Sequence, residues 1–549
     1  MAGCIPRRVF WDYMVKQKQA KGQIGLFQLV MLGLGSLIGS GWLFGSWEAA
    51  KVAGPAAILS WIIGALVIGV IAYNYVELGT MFPESGGMSR FAQYSHGSLI
   101  GFIAAWANWV SLITLIPIEA VAAVQYMASW PWHWARFTDG FLAHGTITGS
   151  GLLVVFAFII VFTLLNYWSV DLLTRFTSVI SVFKIGVPLL TIVMLTLSGF
   201  HPGNYGSTWH AFMPYGSAPV FAATSVSGII FSFNAFQTVI NMGDEVAQPS
   251  KNIGRGIAIS LLISGVLYIL LQSTFITALP PAQLAAHGWH GIDFNSPFAD
   301  LAMLLGLRWL SVLLYMDAFV SPFGTGVSFV ASTGRALQAM AANNHIPRFV
   351  GRIDARYGTP RVAMVTNAVL SMVMVSVFRS WGTLASVIST ATLIAYLTGP
   401  TTVVSLRKMA PHFHRPVTSG HLGLMAPLAF VLASLATYWA MWPTTIEVIL
   451  VILLGFPFYL YFEWRSGWAD TRKQVKGGAW LLTYLIFLSV VSLIGSREFN
   501  GLNWLPYPVD FLVIIGGALL FYSWGIHSHW ESQYFAEART LNERVHSDR

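Results

Sequence analysis

Charge is what this chain has least of. Only 9% of its 549 residues are Asp, Glu, Lys or Arg, against 55% that are hydrophobic, and its mean hydropathy is +0.65. A soluble globule carries about a quarter charged residues, so that class is excluded and an all-α integral membrane protein is expected. Cysteine is nearly absent as well: Cys4 stands alone, which rules out an intramolecular disulfide framework. There is no His-Glu-x-x-His and no Gly-x-Ser-x-Gly elbow, and the histidines fall in or beside loops. Neither an enzyme, nor a metal site, nor a cofactor is expected from such an inventory.

What is present is a succession of apolar runs. About fourteen are long enough to cross a bilayer, near 24–46, 56–80, 98–128, 150–168, 172–199, 219–243, 256–278, 298–334, 362–378, 382–406, 422–442, 445–462, 478–496 and 508–526. No cleavable signal pattern precedes the first. The cations are distributed unevenly between the two sides that these spans define. One side collects Arg7, Arg8, Lys16, Lys18, Lys21, Arg90, Arg175, Lys251, Arg255, Arg335, Arg407, Lys408, Arg415, Arg472, Lys473 and Lys476 among others, while the other holds only Lys51, Arg136, Arg308, Arg379 and Arg497. By the positive-inside rule both termini are expected in the cytoplasm and the chain is expected to be a multi-pass protein of a cell membrane. The net charge of +8 is then a topology signal and no sign of a nucleic-acid partner.

The first apolar run is broken. Gly33, Gly35, Gly39 and Gly41 interrupt it, each costing roughly 1 kcal/mol of helix stability relative to Ala. Freed backbone groups at membrane depth are tolerated only where protein buries them or a polar cavity receives them. Broken helices in matching halves of a chain mark the substrate site of a secondary transporter, and the segment from Phe231 to Gln237 is a second candidate. The alternative is that the glycines only let helices approach closely.

Gly33 to Gly41 resembles the first-helix motif of the amino acid–polyamine–organocation (APC) superfamily. Tyr75-Val76-Glu77-Leu78-Gly79 with Pro83-Glu84-Ser85-Gly86-Gly87, the run from Phe231 to Ile253, Arg335 to Met340 and Gly358-Thr359-Pro360 agree with that resemblance. The whole pattern is similar to bacterial aspartate–proton symporters, with a Trp-rich third helix (Trp106, Trp109, Glu119). The resemblance implies two inverted five-helix repeats, 24–199 and 219–406, with discontinuous helices one and six, flanked by tails 1–23 and 527–549. Four more helices over 422–526 lie outside that core, with homo-oligomerisation or lipid packing as their role. It further implies a substrate site formed by Leu37, Ile38, Gly39, Ser40, Gly41, Phe231, Ser232 and Asn234. There the carbonyls of Leu37, Phe231 and Asn234 receive an α-amino group, Ser40 and Gly41 offer N–H groups at a positive helix end, and Phe231 gates.

Lys184 is the one cation expected near the centre of a membrane helix, on a stripe with Thr177, Ser181 and Pro188. An ammonium there costs roughly 2.5–3.5 kcal/mol on insertion scales. The resemblance sets it beside helices one and eight, against Ser321 and Thr325, as a proton carrier or as a static prop for unwound carbonyls. Glu119 and Asp317 are the matching carboxylates, either functional or structural. Glu77, Asp244 and Glu245 sit near cytoplasmic ends, where gating salt bridges and plain solvation are both open.

The function implied is secondary active import of an amino acid coupled to protons, the substrate being acidic, such as aspartate, or neutral. No intramembrane arginine answers a second substrate carboxylate, so both remain. Exchange is the alternative, and an amino-acid sensor a further one.

Overall fold

A computed structural model describes residues 24–82, 87–168, 170–234, 236–243, 245–354, 357–465, 467–468 and 470–547. The N-terminal cations, residues 83–86, Asp244 and the side chains of Thr177 and Ser181 lie outside the described residues. In chain order the main helices are α1 (Leu26–Leu37), α2 (Gly41–Ala53), α3 (Ala57–Met81), α4 (Ser98–Met127), α5 (Gly149–Trp168), α6 (Val170–Ser198), α7 (Ala218–Val226), α8 (Ile229–Phe233), α9 (Phe236–Asn241) and α10 (Pro249–Ala278). They continue with α11 (Arg308–Ala342), α12 (Arg361–Val377), α13 (Trp381–Tyr396), α14 (Thr398–Met409), α15 (Leu422–Tyr438), α16 (Thr444–Leu453), α17 (Phe456–Arg465), α18 (Thr471–Ile494), α19 (Val509–His527) and α20 (Gln533–Ser547).

Among the described residues nine helices are long and apolar enough to cross a membrane, or ten if α7 and the bent stretch after it count as one span. Three further apolar helices, Leu26–Leu37, Arg361–Val377 and Leu422–Tyr438, are shorter, and Phe183–Ser198 is an apolar stretch of the longer α6. Some expected runs are divided: 298–334 becomes Pro297–Leu304 and α11, with Gly306 at a φ of +75° between them.

The centre of the molecule is α4, the most hydrophobically enclosed helix, which packs most extensively against α11 and α13. Pro117 sits inside it and cannot donate to the carbonyl of Ile113. Ser371 on α12 supplies that donor instead, its hydroxyl 3.3 Å from the Ile113 oxygen. Trp106 packs its ring on Phe102 and on Phe458 of α17, at centroid distances of 5.5 and 5.6 Å. The C-terminal helices are joined to the rest mainly through α15, which packs on α3 and α13, and α18, which packs on α4.

The first break is where it is expected, whereas the main bend of the second comes at Ser227 and Gly228, ahead of the expected segment from Phe231 to Gln237. Ile38 adopts φ −86° and ψ 83°, values that cannot continue α1, and α2 starts three residues later at Gly41. The second break lies between α7 and α8, a bend of 55°. Gly228 makes it with a left-handed φ of +77°, a conformation that costs glycine nothing. It is also a close approach, since a Cβ there would lie 2.6 Å from the Trp381 ring.

Candidate functional site at the two helix breaks

The first break exposes backbone donors, and a buried carboxylate has taken one of them. The Ser40 N–H donates to Glu119 Oε2 at 3.0 Å and to Oε1 at 3.3 Å. Glu119 reaches it from α4, two residues beyond Pro117, and is fully buried. Gly39 allows this approach: a Cβ on it would stand 2.6 Å from Glu119 Oε1 and 3.3 Å from Thr325. The Ser40 hydroxyl in turn accepts from the Trp381 indole at 3.0 Å.

Lys184 closes the other side of the same segment. Its ammonium donates to the Gly35 carbonyl in the last turns of α1 (2.7 Å) and to the Thr325 hydroxyl of α11 (2.5 Å). The Thr325 hydroxyl in turn donates a hydrogen bond to the Ser321 carbonyl at 3.0 Å. The helices α1, α6 and α11 are thereby tied at one charged point that is only 4% exposed. Asp317 is on the same face of α11 but eight residues earlier, about 12 Å along the axis. Its two oxygens and the Ser321 hydroxyl are buried without a hydrogen-bond partner among the described residues.

The unwound carbonyls are also occupied from within the protein. Leu37 accepts from the Tyr268 hydroxyl at 2.8 Å and from Gly39 N–H at 3.1 Å. Asn234 accepts from the Tyr396 hydroxyl through its backbone carbonyl (3.1 Å) and its side-chain oxygen (2.7 Å), while Phe231 accepts from Asn234 N–H. The Asn234 amide donates to Thr392 and Ser111, and Gln237 donates back to Asn234 at 3.0 Å. Ser232 meets Gly41 across the interface of the two broken helices and donates to the Gly228 carbonyl at 2.8 Å. Ile38 is buried in the break.

Between these groups lies a narrow cavity lined by Leu37, Gly39, Glu119, Phe231, Asn234 and Gln237, with Ser36, Leu115, Thr238 and Phe329. Its free volume is about 10 Å³, the space one water needs. Phe231 packs edge-on against Trp381, centroids 5.9 Å apart. Of the expected site residues, Leu37, Gly39, Glu119, Phe231 and Asn234 line this cavity, Ile38, Ser40, Gly41 and Ser232 belong to the packed helix breaks beside it, and Lys184 with Thr325 forms a separate charged point on α1. Asp317 touches neither, although its carboxyl is close enough to interact electrostatically with Lys184. Trp381, Tyr268, Tyr396 and Thr392 belong to the site without any signal in the sequence, since an aromatic or hydroxyl in an apolar run reads as core. Gly33 is a packing glycine: a Cβ on it would press on Ser260 of α10.

A second polar cluster lies at the opposite end of α3. Glu77 is fully buried and binds Arg407 (Nε, 2.9 Å), Arg415 (3.5 Å) and the Ser419 N–H (2.9 Å). Nearby, Ile24 at the head of α1 exchanges backbone bonds with Glu245 and Ala247.

Residues 24–462 match the amino acid permease family. Over the whole chain it is 47% identical to the glutamate/serine transporter AimA of Bacillus subtilis, covering 96% of this chain and 97% of that protein. It is 34% identical to the aspartate-proton symporter of the same organism (93% and 97%), and 25% identical to its branched-chain amino acid permease BcaP (81% and 94%). With two broken helices meeting at a buried polar cavity and a family match across most of its length, the chain belongs to the amino acid permeases of the APC superfamily and is a membrane transporter of amino acids, not an enzyme.

Proposed function

We propose that this permease imports a small L-amino acid with an acidic or short polar side chain, aspartate, glutamate or serine, by symport with protons. The observation that carries the reading is the Glu119 carboxylate seated on the Ser40 N–H. An arriving amino acid brings its α-carboxylate to those same helix-end donors. Two carboxylates cannot share one donor without strong repulsion. A proton on Glu119 cancels its charge and frees the Ser40 N–H, so proton and substrate each favour the binding of the other, which is coupling in its thermodynamic sense.

Lys184 stands close by as the second charged group, and its bond to the Gly35 carbonyl makes the position of α1 depend on its charge. Tyr268 and Tyr396 hold the carbonyls of Leu37 and Asn234, and they yield them to the substrate ammonium. The amides and hydroxyls of Asn234, Gln237, Ser111 and Thr392 suit a polar side chain. Two of the relatives carry acidic substrates in their names, which supports the same class. Residues 24–199 and 219–406 form the two inverted repeats, Phe231 closes over the substrate, and both termini face the cytoplasm in keeping with the cation asymmetry.

Uptake of labelled aspartate, glutamate, serine and leucine into proteoliposomes, with and without an inside-alkaline gradient, tests the proposal. Gradient-driven accumulation of the first three is expected. Uptake that responds only to internal unlabelled amino acid would establish exchange instead.

A further inference from the structure

The transport reading leaves one built feature unused. On α18 the residues Thr471, Val475 and Ala479 recur every four positions and, with Arg472 and Lys476, form one wall of an open groove of about 610 Å³ whose other wall is Trp524 of α19. The opposite face of α18 is committed to packing: Gln474, Gly477 and Gly478 are buried against Leu99, His96 and Trp530. Val475 is 54% exposed and Trp524 44%, so the groove is apolar and open. Arg472 and Lys476 have neither hydrogen-bond nor ion-pair partner among the described residues, and the nearby Asp470 is engaged by Lys473 at 3.0 Å. Two unneutralised cations at the rim of an apolar trough are complementary to one kind of molecule, an anion with a hydrocarbon tail.

We propose that this groove binds an anionic phospholipid, its phosphate between Arg472 and Lys476 and an acyl chain along Val475, Ala479 and the Trp524 ring. The position supports it: the groove is at the basic end of two membrane helices, where indole rings favour the interface and where basic pockets between helices bind anionic headgroups. The transport reading enters only in naming the leaflet as cytoplasmic. A free phosphate meets the same two cations but gains nothing from the trough.

The test uses the full chain in phosphatidylcholine nanodiscs containing a minor fraction of phosphatidylglycerol, with bromine on the acyl chains of the same small mole fraction of one lipid at a time. Brominated phosphatidylglycerol is expected to quench tryptophan fluorescence more than brominated phosphatidylcholine, and Trp524→Phe removes the difference. A cation near an anionic headgroup is worth about fivefold in binding, so Arg472→Gln with Lys476→Gln lowers the preference by about 25-fold. Both side chains are exposed, so the fold is not at stake, and Ala479→Trp, which fills the trough, gives an independent loss. Lys473→Gln, outside the groove, leaves the preference intact. Equal quenching by the two lipids in the unaltered protein, a loss with Lys473→Gln as large as with the pair, or removal of the difference by inorganic phosphate would each overturn the proposal, the last by making the site one for soluble anions.

Discussion

Arg407 grips the Glu77 carboxylate with two guanidinium nitrogens across 330 residues of chain, joining the end of α3 to the end of α14. Arg415 approaches the same carboxylate while donating to the carbonyls of Leu406 and Ala410 that end α14. Among the described residues Glu77 is therefore the one carboxylate that holds both arginines of this cluster. Removing one partner of a buried pair costs about 3–5 kcal/mol because the other charge stays buried. Arg407 is 30% exposed, which places the expected cost at the lower end. Glu77→Gln and Arg407→Gln should each lower the melting temperature in detergent, and the double variant should lose clearly less than the sum. Strict additivity would show that the pair contributes nothing to holding these helices.

At the first break the space is already full. A Cβ at Gly41 would run into the Ser232 hydroxyl and stand 3.4 Å from the Phe231 ring. Gly41→Val should abolish amino-acid binding in calorimetry, and Gly41→Ala should weaken it, with partial recovery when Ser232→Ala removes the colliding oxygen. Unchanged affinity in Gly41→Val would take this segment out of the site.

Phe231 lines the cavity and meets Trp381 in a T-shaped ring contact. Loss of such an aromatic contact is worth about 0.5–1.5 kcal/mol beyond area. Phe231→Ala should therefore weaken substrate binding by at least a few fold and speed substrate leakage from the bound state. Transport kinetics identical to the unaltered protein would remove its role as a gate.

Lys184→Met deletes the ammonium that ties Gly35 to Thr325. If that charge takes part in coupling, the variant should show little stimulation by an inward proton gradient while homoexchange of substrate survives. Full gradient-driven accumulation with unchanged pH dependence would reduce Lys184 to a prop and leave Glu119 as the leading proton carrier.

Outside the spans, burial holds the His96 imidazole at about 4, below its ordinary 6.5; the bond to the Gly525 carbonyl opposes this and the charge of His529 adds to it. The folded state thus binds fewer protons than the unfolded one between these values. Stability from this group is complete above about 6.5 and is lost as pH falls through that window toward 4. His96 anchors the chain after α19, because Trp530 and Ser532 donate to the carbonyls of His96, Gln93 and Tyr94. Thermal unfolding at about pH 7.5 and about pH 4.5 should show a smaller loss on acidification in His96→Asn than in the unaltered protein. An equal loss in both would assign acid sensitivity elsewhere.

The apolar runs, the glycines around the first break and the one-sided cations are properties of chain segments, and the sequence alone determined them. A run of twenty apolar residues is a membrane helix whatever surrounds it, and Gly33 to Gly41 weakens a helix locally. Even the pairing of Lys184 with Thr325 was legible, because helical spacing set Ser321 and Thr325 on one face and the family resemblance brought that face to α6. Periodicity says which face a residue occupies, but not which distant face it meets. That Glu119 reaches the Ser40 N–H, that Tyr268 and Tyr396 sit on the carbonyls of Leu37 and Asn234, and that Trp381 packs on both breaks were decided only by how α4, α10 and α13 dock. Asp317 shows the same limit from the other side: it shares a helical face with Thr325, yet two turns along the axis carry it away from the cavity. Backbone groups freed by a break must find partners somewhere in a medium without water, and only the packed structure determines which side chains supply them.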